Sequence, residues 1–168
     1  MTNRFTTLAA TAALFIGFSG PAVAANKTVA LGTVGGWKIL SLSNTCFGEA
    51  LFENETRLTH ALYPGGKALL FVRKDQWDMP NGPVTVFASI GELLASPLQA
   101  KAEGKFLYIP WLINEDEIEF LASGPFVLHL KIGQVDYSYN LRGSAEMMRA
   151  LLKCRENLDR GANPVTGN

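Results

Sequence analysis

Apolar and polar residues alternate with period two through most of this chain, and clusters of glycine, proline, asparagine and aspartate interrupt the alternation at short intervals. Such a pattern predicts many short strands joined by tight turns. It is clearest near the end. Between Pro125 and Asn140, a turn at Ile132 and Gly133 sets Leu130 opposite Val135, Leu128 opposite Tyr137 and Phe126 opposite Tyr139, because successive strand side chains point to opposite faces. One face of this hairpin is then apolar or aromatic. The other carries Val127, His129 and Lys131 against Asp136, Ser138 and Asn140, as expected for an antiparallel ribbon with one wet side.

After Leu141 the period changes. The chain turns at Gly143, Ser144 offers an oxygen to the free amides of a helix start, and good helix formers follow from Ala145. Met147, Leu151, Cys154 and Leu158 recur at i, i+4, i+7 and i+11 with Met148 and Leu152 beside them, so this helix is predicted to bury one broad stripe. Arg149, Lys153 and Arg155 take the remaining positions.

Upstream, residues 26–36 form a glycine-rich lead-in that either lies loose or adds an edge strand. Trp37 to Leu42 and Cys46 to Phe52 read as strands around the turn formers Ser43 and Asn44. Arg57 to Tyr63 and Lys67 to Arg73 flank Pro64, Gly65 and Gly66, a hairpin whose register the sequence leaves open. Asp75 to Pro83 reads as a loop holding Trp77, and Val84 to Ser89 as a strand. Gly91 to Ser96 reads as a helical turn stopped before Pro97. A second hairpin around Glu103 and Gly104 pairs Leu98 with Ile109 and Ala100 with Leu107, and Pro110 places it at a sheet edge. Asn114 then caps a short helix over 115–123 that buries Ile118, Leu121 and Phe120.

Together these elements predict a mainly β, α+β fold. The expected architecture is an antiparallel sandwich or partly closed barrel of about nine short strands, with a C-terminal helix packed on the sheet.

The first residues do not fit that pattern. Arg4 precedes the apolar run Leu8 to Phe18, followed by Ser19, Gly20, Pro21 and small residues, the layout of a secretory signal cleaved after Ala24 or Ala25. The run is too short to span a bilayer, which needs roughly twenty apolar residues. The division expected is therefore a signal peptide over 1–25, one β-rich domain over 26–158 and a flexible tail over 159–168. The exported product is expected in the periplasm or outside the cell, without a membrane span or a lipid anchor.

In an oxidising compartment two cysteines allow one intramolecular bridge, Cys46 to Cys154. The alternative is two buried, reduced thiols. The spacing argues against a catalytic redox pair, since such pairs normally sit two residues apart at a helix start and these do not.

Only Arg4 among the charged residues falls in the signal, so the mature chain has 15 − 1 = 14 cations against 15 acids. Near-neutrality without a basic run argues against nucleic acid and anionic membrane partners.

Candidate chemistry is sparse. His129 opposite Asp136 resembles part of a proton-transfer site, but an ordinary cross-strand polar pair explains it as well. His60 reads as a partly buried strand residue. The acidic cluster Glu115, Asp116, Glu117 and Glu119 suits a helix N-terminus and lacks calcium-loop spacing. Gly32 to Lys38 does not have phosphate-loop spacing, no Gly-x-Ser-x-Gly occurs, and no metal-ligand set converges. No catalytic residue, metal or cofactor is therefore expected. Asn54, Glu55 and Thr56 form a glycosylation sequon, without consequence in an exported protein whose cell lacks the transferase.

One run stands out: Phe106, Leu107, Tyr108, Ile109, Pro110, Trp111, Leu112 and Ile113. A strand apolar on both faces is either sandwiched in the core or presents aromatic surface to a partner. With Trp77, the residues Tyr108 and Trp111 are the candidate contact patch.

The early Gly36-Trp37-Lys38-Ile39, the following Cys46 and the closing passage from Tyr139 to Leu152 resemble the invasion-associated locus B family of small exported bacterial proteins. The resemblance implies a periplasmic or surface β-rich module engaged in interactions, with no catalytic residue to carry over. Three functional readings follow. The first is a non-enzymatic interaction module whose partner is an envelope or host protein. The second is a carrier of a small hydrophobic ligand, and the third a hydrolase using His129 and Asp136.

Overall fold

The computed structural model describes residues 28–90, 97–111, 115–123, 127–162 and 164. The expected signal segment, the helical turn at Gly91 to Ser96, Asn114 and Phe126 lie outside these residues, as do the side chains of Trp111 and Leu121.

Ten strands form one sheet: β1 (Val29–Val34), β2 (Trp37–Leu42), β3 (Thr45–Leu51), β4 (Thr56–Leu62), β5 (Ala68–Lys74), β6 (Met79–Ile90), β7 (Leu98–Gly104), β8 (Phe106–Trp111), β9 (Val127–Ile132) and β10 (Val135–Asn140). Helix α1 (Glu115–Ala122) precedes β9, and α2 (Ser144–Asp159) follows β10. The strand order is β1-β2-β3-β4-β5-β8-β7-β6-β9-β10, and the sheet curls into an antiparallel half-barrel. The expected mainly β architecture with a packed terminal helix is therefore what the chain adopts, and the lead-in supplies an edge strand, β1.

The curl is carried by rings. In the pairing order β10 is the far edge, yet Tyr139 on β10 packs 5.3 Å from Phe52, just after β3, and Phe52 packs 6.4 Å from Trp37 on β2. Trp77, between β5 and β6, packs 5.4 Å from Tyr137 and donates its indole N–H to the Tyr137 hydroxyl at 3.0 Å. Edge-to-face pairs of this kind contribute about 0.5–1.5 kcal/mol each beyond the area they bury. They draw the two ends of the sheet together around Leu58, Leu70, Val72, Val86, Leu107 and Leu130, all fully buried.

Helix α2 lies on β2 and β3, and the contact depends on a missing side chain. A Cβ on Gly48 of β3 would sit 2.6 Å from Cγ of Met147, closer than van der Waals contact allows. The helix therefore seats Met147 directly on the β3 backbone. At its start the backbones of Gly35 and Gly143 touch, where a Cβ on Gly35 would meet the Gly143 carbonyl oxygen at 2.6 Å. Trp37 donates to the Arg142 carbonyl at 3.2 Å beside them. Cys46 of β3 and Cys154 of α2, both buried, form the expected disulfide, with Cα atoms 6.2 Å apart and a sequence separation of 108.

Several local expectations are corrected. Both two-residue hairpin turns begin at their glycine, Gly104-Lys105 and Gly133-Gln134, so the registers shift by two: Ala102 faces Leu107, and Leu128 and Leu130 face Tyr139 and Tyr137. The cause is the positive φ of Gly104 (+57°) and Gly133 (+61°), which the first position of a tight hairpin turn requires. Ser144 is not the cap. Gly143 occupies that position in the left-handed region, and Ser144 is buried in the first turn. Arg155 is not on the wet side either: it is 8% exposed and donates to the Asn44 carbonyl and the Asp159 carboxylate. The expected loop Asp75 to Pro83 is half strand, since β6 begins at Met79. Finally, β8 lies inside the sheet rather than at its edge. Its pairing with β7 stops at Tyr108, so Pro110 lies beyond the last pair and costs that ladder no hydrogen bond.

Among the described residues, no helix is long and apolar enough to cross a membrane.

Candidate interaction face

The strands β3, β4, β5 and β8 alternate, and their inner row Gly48–His60–Leu70–Ile109 is buried under α2 and the core. The opposite parity faces outward. Two registered rows cross the sheet there: Glu49–Thr59–Phe71–Tyr108–Lys101, and Leu51–Arg57–Arg73–Phe106–Glu103. A solvated sheet face ordinarily reads as threonine and charge. These two rows carry three aromatic rings, Phe47 adds a fourth to the face, and Leu51 is 69% exposed beside them.

The rings touch one another. Phe71 meets Tyr108 edge to face at 5.2 Å, and Phe106 lies nearly parallel to Tyr108 at 6.1 Å. The Arg73 guanidinium sits 5.6 Å from the centre of the Phe106 ring, a cation–π placement that fixes both groups. Between Phe47, Phe71, Phe106 and Tyr108 the small Thr59 leaves a shallow groove of about 310 Å³.

The charges that line and flank the groove on β3, β4, β5 and β7 are paired. Arg57 and Arg73 stand opposite each other across β4 and β5, a repulsive placement relieved by Glu49 (3.2 Å from Arg57) and Asp75 (2.8 Å from Arg73). Lys101 pairs with Glu103. That pairing, with the Tyr108 hydroxyl as a second donor, holds the Glu103 carboxyl below the usual range and raises the Lys101 ammonium. Burial, then the neighbouring Glu103 carboxylate, raises the Tyr108 phenol. The groove is thus neutral overall and stays so around neutral pH.

Of the three residues expected to form a patch, Tyr108 alone is shown on this face. Trp77 belongs to the inner aromatic cluster with Tyr137. The Trp111 backbone pairs with Ala68 on β5. The aromatic run itself divides by parity: Leu107 and Ile109 are core, whereas Phe106, Tyr108 and Pro110 face outward. Phe71, Arg57 and Arg73 were not singled out from the sequence. The signal was present, since Phe71 and Arg73 share one parity of β5, but it needed the pairing of β5 with β8 to be recognised.

The proposed proton-transfer pair does not form. His129 faces Ser138, with 2.9 Å between Nδ1 and the hydroxyl oxygen, and Asp136 faces Lys131 instead. His60 is buried against Trp37 at 5.5 Å, and burial lowers its pKa to about 4, so it is neutral in ordinary buffers.

The fold and this face define a disulfide-tied, curled antiparallel β-sheet with a terminal helix and a neutral aromatic outer groove. Comparison with known proteins finds no matching family model, curated protein or solved structure.

Proposed function

We propose that this chain is an exported binding module of the bacterial envelope, working by recognition rather than catalysis on a protein of the envelope or the host. The observation that supports this is the outward row of Phe71, Tyr108 and Phe106 with Arg73 stacked beside it. Aromatic residues and arginine are the residue types that dominate binding energy at interfaces. The Cys46–Cys154 bridge is compatible with export, and the resemblance to the invasion-associated locus B family points to the same kind of role.

The test is capture from an envelope extract on the immobilised protein. The double substitution of Phe106→Ala and Tyr108→Ala is expected to lower recovery of the captured partner at least about tenfold, the cost of losing one or two interface anchors. Phe87→Ala, at a residue 51% exposed on β6, serves as the control and leaves recovery unchanged. Equal recovery by the double variant and the wild type contradicts the reading.

A second reading, carriage of a small hydrophobic ligand, is favoured by a cleft of about 800 Å³. Tyr63, Leu69, Leu98 and Pro110 line it, where β7 parts from β8. Native mass spectrometry of freshly purified protein tests it: a co-purifying hydrophobic compound supports carriage, and its absence counts against it.

A further inference from the structure

We infer that the outer groove recognises a proline-rich, extended segment of a partner protein, an inference that rests on the reading of this face as an interaction surface. Three features of the groove specify that chemistry. The walls are aromatic: Phe71, Phe106 and Tyr108 are held in fixed mutual contact, and the floor is the small Thr59. Rings held in this way offer slots for compact, rigid apolar rings at little entropic cost.

The second feature is neutrality. Arg57, Arg73 and Lys101 are balanced by Glu49, Asp75 and Glu103. A strongly acidic or basic ligand would have to displace an existing ion pair and gains nothing from long-range attraction.

The third is an imbalance between donors and acceptors. A guanidinium carries five N–H donors. The described contacts of Arg57 use one nitrogen, toward Glu49, and those of Arg73 use two, toward Asp75. The carboxylates, in contrast, already face cations. The groove therefore has hydrogen-bond donors to spare beside apolar slots. Proline-rich chain in the polyproline II conformation presents the complement: apolar rings, a solvated row of carbonyl acceptors and few N–H groups to satisfy. An oligosaccharide brings a donor on every hydroxyl, for which the paired carboxylates leave few free acceptors, and an acidic peptide brings uncompensated charge.

The experiment is selection of a displayed random peptide library on the immobilised protein, run in parallel on the Tyr108→Ala variant, followed by fluorescence anisotropy with an octaproline probe. Circular dichroism and the thermal midpoint confirm that the variant is folded. The expected result is enrichment of proline-rich peptides on the wild type alone. Octaproline binding is expected to weaken about tenfold in Tyr108→Ala, the loss of one aromatic anchor, and to change little with added salt. Enrichment that depends on Tyr108 but lacks proline overturns this inference and leaves the interaction face standing. Enrichment that ignores Tyr108, or none at all, overturns both.

Discussion

His60 shows how far a single residue's environment departs from what its type suggests. It sits on β4 with its ring against Trp37, 1% exposed, and burial depresses its pKa from 6.5 to about 4. The unfolded chain therefore binds the proton more tightly than the native one. Stability from this group is complete above about pH 6.5 and declines as pH falls toward 4, by about 3 kcal/mol. Urea titrations at pH 7, 5.5 and 4 are expected to show this decline (~3 kcal/mol in all), and His60→Phe to remove most of its slope. A slope unchanged in the variant would show that another group titrates. Gly48 gives a second test at this scale. Gly48→Ala forces a methyl group into Met147, and overpacking of this kind costs about 1–3 kcal/mol. Combining it with Met147→Ala is expected to cost less than the two single losses summed, as measured by denaturant midpoints. The pairing of Cys46 with Cys154 was legible because two cysteines allow only one intramolecular bridge. The role of Gly48 was not legible, because a glycine in a strand gives no sign of which helix will seat on it.

At the scale of elements, periodicity located nearly every strand and both helices, but turn chemistry decided the registers. Reading Gly133 as the second turn residue rather than the first displaces each pair in the β9–β10 hairpin by two. A shift of two preserves the face, so the apolar side was still assigned correctly. It changes partners, however, and in this hairpin it sets His129 opposite Ser138 rather than Asp136. Helix α2 is tied to the sheet twice, by Met147, Met148 and Leu151 buried beneath it and by the disulfide. Closing a loop of this length contributes about 4–5 kcal/mol in the chain-entropy model. The double substitution Cys46→Ser and Cys154→Ser is therefore expected to lower unfolding stability by about that amount, while far-ultraviolet circular dichroism still reports a β-rich protein with a helix. Complete loss of structure would mean that burial alone does not hold α2 in place.

For the whole molecule, the two faces of one sheet divide the core from the face proposed to bind. A mainly antiparallel body with a terminal helix could be read from the alternation. The order of the strands could not, because β6 runs for twelve residues and serves two partners in turn, β7 along its first part and β9 along its second. Only that order brings β8 beside β5 and sets Tyr108 against Phe71. The same sheet thus keeps Tyr139 inside, where it closes the curl, and Tyr108 outside, on the face proposed to bind. The most direct measurement is to take Tyr108→Ala and Tyr139→Ala through the same urea titration and the same envelope capture. Tyr108→Ala is expected to lose the partner with little change in unfolding stability, whereas Tyr139→Ala is expected to lose about 3–5 kcal/mol of stability, as for a buried aromatic, and still to bind while folded. A Tyr108→Ala protein that is destabilised like Tyr139→Ala yet captures its partner as the wild type does would contradict this division between the two faces.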